Sequence, residues 1–319
     1  MFTVADGLIW LSQVAERNSV VRKLQVLKLR GQASVPGLHT FRINEDGLQT
    51  FSRTLGLAER KGRPAHRPRL SLGIPEMDKM MGGGIPRGDS LLVAGSSGTG
   101  KSVLGTTFIA EGLRHGEPGI MAVFEERPED CLRRAKHLGQ DLAKAEREGT
   151  LKILYLRPLD LSVDESLQEI LDAVKAVGAK RLVIDSLVGF EMALAPSFRT
   201  DFRESLYRMM ASLTGTGVTV LSTVELDESF AEFRFSHYTV SFLADDIIRL
   251  RYLDLDGVLR RILTVVKMRD SDHSKDIREY EITNKGVVLT DRRLNDYRAL
   301  ITGIPSWWKQ SWPIEEPLK

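Results

Sequence analysis

Eight consecutive residues bound the fold of this chain more tightly than any other feature. Gly95, Ser96, Ser97, Gly98, Thr99, Gly100, Lys101 and Ser102 spell G-x-x-x-x-G-K-S. The pattern has a mechanism only where a strand runs into it and a helix leaves it. The apolar run Ser90–Ala94 supplies the strand, and a helix is expected to open near Lys101. Glycines at 95, 98 and 100 let the backbone wrap closely around phosphate oxygens, so that successive N–H groups point inward. The positive helix end faces the same anion. Lys101 adds a point charge for the terminal phosphates, and the Ser102 hydroxyl is placed to ligate Mg²⁺. A nucleoside triphosphate is the expected ligand.

The residues around this loop predict an α/β fold. Short apolar runs at Ser90–Ala94, Gly119–Phe124, Leu151–Leu156, Arg181–Asp185 and Val218–Thr223 read as buried strands. Between two of them Leu167, Ile170, Leu171 and Val174 fall on one helix face, and Gly178 stops that helix. Such alternation requires right-handed crossovers and gives a mostly parallel sheet covered by helices. From Ala244 onward the pattern changes to consecutive strands, roughly 247–253, 259–266 and 277–283, read as an antiparallel extension with a hairpin at Asp256-Gly257. Asp185 ends an apolar strand and is the candidate acid for the magnesium shell. Glu125 and Glu126 follow the strand ending at Phe124. Adjacent side chains of an extended segment point opposite ways, so one is expected to face the phosphate and the other to support it. The alternative is that Glu126, with Glu129 and Asp130, only opens the next helix.

An internal repeat sets the domain organisation. Residues 5–55 align without a gap on residues 244–294, an offset of 239, with 13 identities in 51 positions. ADGLIWL lies on ADDIIRL, and RKLQVLKLRG on RILTVVKMRD. Residues 1–58 are therefore expected to be the tail of a first unit whose body is missing, pointing to a truncated or misassigned start. Residues 59–69, polar and basic with two prolines, read as a linker. Residues 70–296 read as the complete unit, and 297–319 as a C-terminal tail.

Composition excludes several classes. At 42% hydrophobic and 28% charged residues, the 319-residue chain is not dominated by disorder. No apolar run reaches the ~20 residues a membrane span needs. The single Cys131 excludes a disulfide framework and a thiolate zinc site, and points to a reducing cytoplasm. A net charge of +2 makes nucleic acid an unlikely partner.

In combination, the segment Leu72–Gly88 before the phosphate loop, the Phe-Glu-Glu after the next strand, the Ile-Asp-Ser-Leu strand end and the run from Lys267 to His273 resemble the KaiC family of RecA-like ATPases. The resemblance covers about residues 70–296, and 1–58 as the tail of a preceding unit. It implies ATP with Mg²⁺, slow hydrolysis in signalling or regulation, and a homo-hexameric ring with nucleotide between neighbours. It implies that Glu125 and Glu126 match the family's catalytic glutamates. It further implies that Lys267 and Arg269 reach the neighbour's phosphates, with His273 close by.

Three departures accompany it. The Ser-Thr pair phosphorylated in circadian members aligns with Ser241-Phe242, so a two-site cycle is not expected. Lys28 and Arg30 match trans residues with no phosphate loop in their own unit. Trp307, Trp308 and Trp312 mark either a tail packed on its own domain or a docking peptide for a partner. The alternatives to an ATPase are a serine/threonine autokinase acting on Ser241 or Thr239, a RecA-type DNA-handling motor, and a nucleotide-binding scaffold without turnover.

Overall fold

A computed structural model of the chain describes residues 5–16, 19–52, 54, 67–156, 162–189, 202–226, 244–255 and 257–293. Ser241, Thr239, Asp256, most of the 59–69 linker and the tryptophans of the tail lie outside the described residues. Four antiparallel strands open the chain: β1 (Gly7–Glu16), β2 (Ser19–Leu29), β3 (His39–Asn44) and β4 (Gly47–Phe51) form one sheet in chain order. The short pair β5 (Arg69–Leu70) and β6 (Ile85–Pro86) brackets helix α1 (Pro75–Met80).

The main sheet then alternates with helices: β7 (Ser90–Gly95), α2 (Lys101–Arg114), β8 (Gly119–Val123), α3 (Pro128–His137), α4 (Leu142–Arg147), β9 (Leu151–Tyr155), α5 (Val163–Val177), β10 (Arg181–Asp185), α6 (Phe202–Gly215) and β11 (Thr219–Glu225). Four more strands complete it: β12 (Asp246–Leu255), β13 (Val258–Lys267), β14 (Arg278–Thr283) and β15 (Gly286–Arg293). The order across nine strands is β15-β14-β13-β12-β7-β11-β10-β8-β9. It is parallel from β9 to β12 and antiparallel from β12 to β15. The expected α/β class, with a parallel core and an antiparallel extension, is what forms.

Period-two alternation decides which residues face which layer. Leu92 and Ala94 of β7 join Leu167, Ile170, Leu206 and Met209 under α5 and α6. Leu91 and Val93 join Leu104, Phe108 and Ile109 of α2 on the other face. Helix α5 starts where Ser162 Oγ accepts the Glu165 N–H at 3.1 Å. It stops at Gly178, whose φ of 65° is the left-handed conformation that a helix end requires.

The repeat is visible in topology, since β1, β2, β3 and β4 correspond in order to β12, β13, β14 and β15. Burial differs between the two copies. Ile248 and Leu250 of β12 are fully buried beside β7, whereas their counterparts Ile9 and Leu11 in β1 are 57% and 50% exposed. The small sheet is tied to the core elsewhere. Thr40 Oγ1 donates to Asp164 Oδ2 at 3.4 Å, and Arg42 pairs with Glu165 at 2.8 Å on α5. Arg67 and Arg69, at the end of the expected linker, are anchored on the core. Arg67 pairs with buried Asp89, and Arg69 donates to the Met81 and Gly84 carbonyls.

Candidate active site

Parallel strands place their carboxyl ends along one edge, and this puts four chemical groups together. Gly95 ends β7, Asp185 ends β10 and Glu225 ends β11, while Glu125 lies just beyond β8. Gly95 through Lys101 turn from β7 into α2, with φ of 76° at Gly98 and 97° at Gly100. A side chain at Gly98 would place a Cβ 2.8 Å from the Tyr252 hydroxyl, so the turn requires glycine there. Lys101 is buried. Its Nζ donates to the Gly95 and Ser96 carbonyls, both at 2.9 Å. Burial pushes its ammonium below the ordinary lysine range, against the opposing pull of Glu225, Asp185 and Glu125. All three carboxylates are therefore within electrostatic reach of the phosphate-loop lysine. Asp185 Oδ1 accepts the Thr223 hydroxyl at 2.5 Å, which orients it.

The two glutamates, in the bend that follows β8, turn to different partners. Glu126 turns to α3, where it pairs with Arg134 and accepts the Cys131 thiol at 3.3 Å. Glu125 is exposed at the strand edge and acts on Lys101. Burial raises the Cys131 thiol to about 11, so it stays a neutral donor.

The antiparallel extension covers the loop from the other side. The Tyr252 hydroxyl donates to the Gly98 carbonyl at 2.7 Å, and the Tyr280 hydroxyl donates to the Thr99 carbonyl at 2.5 Å. Arg261 lies over the Tyr252 ring at 5.4 Å. These bonds fix the Gly98 and Thr99 carbonyls from the side of the extension. Glu225, Thr223, Tyr252 and Tyr280 were not read from the sequence as site residues. For Glu225 a signal existed, because an acid ending an apolar strand is the pattern that marked Asp185. For the tyrosines none existed, since only the placement of β12 beside β7, with β13 and β14 following in the same sheet, brings them to the loop.

Lys267, Arg269 and His273 are not brought to this phosphate loop. Lys267 pairs with Ile247, which lies opposite Leu92, three residues before Gly95. At about 3.3 Å per residue this sets Lys267 roughly 10 Å down the sheet, and Arg269 farther still. Arg269 Nη1 meets Asp245 Oδ1 at 2.9 Å near the start of β7. Ser274, next to His273, donates its N–H to the Met80 carbonyl at 2.8 Å.

The family model described as "ATPase: KaiC" matches residues 70–293. The chain belongs to the KaiC ATPase family. It is similar to the circadian clock oscillator protein KaiC of Picosynechococcus sp., 33% identical over 304 residues, which is 95% of this chain and 57% of that protein. The KaiC of Parathermosynechococcus lividus is 32% identical over 303 residues, 95% and 55% of the two chains. That of Rippkaea orientalis is 33% identical over 304 residues, 95% and 57%. The chain spans a little over half the length of these KaiC relatives. No helix among the described residues is long and apolar enough to cross a membrane.

Proposed function

We propose that this chain binds ATP with Mg²⁺ at residues 95–102 and hydrolyses it at a site completed by a neighbouring copy. The observation that carries the shared site is the separation of Lys267 and Arg269 from the phosphate loop of their own chain. Cations held at the opposite edge of the sheet serve a nucleotide only if another subunit presents it.

The donors fit magnesium. Mg²⁺ retains waters and takes one or two protein oxygens beside phosphate oxygens. A hydroxyl at Ser102 and a carboxylate at Asp185 meet that need, and no group of three His, Cys, Asp or Glu among the described residues forms a closed cage. Bound there, the ion would offset charge between the terminal phosphates. Main-chain amides of Ser96–Ser102 and the Lys101 ammonium hold the phosphates. Glu125 orients the attacking water and takes its proton, and Glu126 keeps Arg134 and α3 in place behind it. Arg269 and Lys267 of the neighbour offset charge developing on the transferred group, with His273 beside them. A homo-hexameric ring, cytoplasmic and regulatory in role, is the assembly this reading favours; the relatives' names supply only the regulatory part, as clock oscillator proteins.

The test combines calorimetry with phosphate release. Arg269→Ala is expected to reduce turnover by about 10³-fold while Mg-ATP binding persists. An Arg269→Ala protein with undiminished turnover, or light scattering that shows only monomer with Mg-ATP present, overturns the shared site. Label recovered on protein instead of in solution would point to phosphoryl transfer onto Ser241 or Thr239.

A further inference from the structure

Three features of the cationic turn recur at the repeat offset. Lys28 Nζ donates to the Ala5 carbonyl at 2.8 Å, and Lys267 Nζ donates to the Ala244 carbonyl at 2.8 Å. Arg30 Nη1 meets Asp6 Oδ1 at 3.1 Å, and Arg269 Nη1 meets Asp245 Oδ1 at 2.9 Å. The ladder also slips at one equivalent place, between Leu8 and Ile9 in β1 and between Ile247 and Ile248 in β12. Bulges of this kind re-aim side chains.

Surroundings do not explain the recurrence, because the aspartate side chain is 79% exposed in the first copy and 6% in the second. The contact follows from the bulge and the Asp-to-Arg spacing, not from the packing of either copy. What differs in the second copy is anchorage. Asp245 Oδ2 accepts both the Ser90 N–H and the Ser90 hydroxyl at 3.1 Å, so the carboxylate is fixed to the start of β7. The Arg269 N–H donates to Asp246 Oδ1 at 3.2 Å, which holds the backbone as well. The Arg269 side chain nevertheless remains 61% exposed.

The structure assigns Asp245 as a positioning residue for Arg269. Its carboxylate pins one edge of the guanidinium to the sheet and leaves the rest of the donor fork facing outward, toward the phosphates of a neighbouring subunit. An arginine loses rotamer freedom when it docks, and a fixed carboxylate removes that freedom beforehand. This assignment rests on the reading that Arg269 completes a neighbour's site.

The experiment is a double-mutant cycle on the full chain, following phosphate release and Mg-ATP calorimetry for Asp245→Ala, Arg269→Ala and the pair. Asp245→Ala is expected to slow turnover roughly 10- to 100-fold, with nucleotide affinity of the same chain unchanged. The double variant is expected to be no slower than Arg269→Ala alone, since Asp245 acts only through that arginine. Asp245→Asn, which keeps one acceptor oxygen, is expected to give an intermediate rate, and it replaces the alanine in the cycle if the alanine variant does not fold. Additive losses in the double variant, or wild-type turnover in Asp245→Ala, overturn the assignment while leaving the shared site standing. Wild-type turnover in Arg269→Ala overturns both.

Discussion

Asp246 offers a test of the electrostatics at the foot of β12 that does not depend on catalysis. It is fully buried. Its Oδ1 accepts the Arg269 N–H, and its Oδ2 has no hydrogen-bond partner among the described residues. Burial, then the nearby Asp89 and Asp245 carboxylates, raise its pKa from 3.8 to about 7, with the Arg269 N–H and Arg69 acting the other way. Between those two values the folded protein keeps a proton that the unfolded chain gives up. Stability therefore falls as pH rises through this window and levels off above it. At about 1.36 kcal/mol per unit the limiting penalty is roughly 4 kcal/mol, more than half of which develops between pH 5 and pH 8. Asp246→Asn removes the ionisation and keeps the shape. Urea denaturation of both proteins at pH 5 and pH 8 gives two stability differences, and the variant is expected to gain roughly 2–3 kcal/mol on wild type between them. Comparing differences cancels the titrating groups that do not interact with Asp246. A gap between the two proteins that stays constant with pH would refute the reasoning, because it would mean the carboxylate ionises alike in both states.

Gly98→Ala forces a left-handed backbone onto a side chain and sets its Cβ 2.8 Å from the Tyr252 hydroxyl. Calorimetry should show Mg-ATP affinity falling at least about tenfold, a loss of roughly 1.4 kcal/mol or more. Glu125→Gln is expected to slow phosphate release by about 10²- to 10⁴-fold. Glu126→Gln, whose carboxylate is committed to Arg134, should slow it far less and instead lower the melting temperature; equal rates in the two variants would count against the division of roles. Tyr280→Phe leaves the buried Thr99 carbonyl without its donor, and denaturation should register a loss of about 1–2 kcal/mol.

The phosphate loop and the carboxyl-edge Asp185 were legible because each is a local pattern. A strand that must be buried ends where its first polar residue meets the ligand edge. The two glutamates were legible as a pair, but not as individuals. Which one faces Lys101 depends on Arg134, nearly two turns into α3, drawing Glu126 away. Glu225 is not legible in the apolar run Val218–Thr223, because β11 continues past that run to meet Gly95 of β7. Ile9 and Leu11 show the opposite case. Their spacing alone predicts a buried face, yet they are half exposed, because burial needs a partner that alternation cannot supply.

By itself, then, the amino-acid order determined the strand and helix succession and the anion-binding turn, since both depend on neighbours within a few positions, and the doubling of the cationic segment, since two stretches of one chain can be compared directly. Only the tertiary structure decided that Tyr252 and Tyr280 hold the loop, and that Lys267 and Arg269 stand at the far edge from it. Both outcomes follow from β12 joining β7 in parallel with β13 running back. That pairing joins residues about 150 positions apart, and its register is set by burial against the whole sheet.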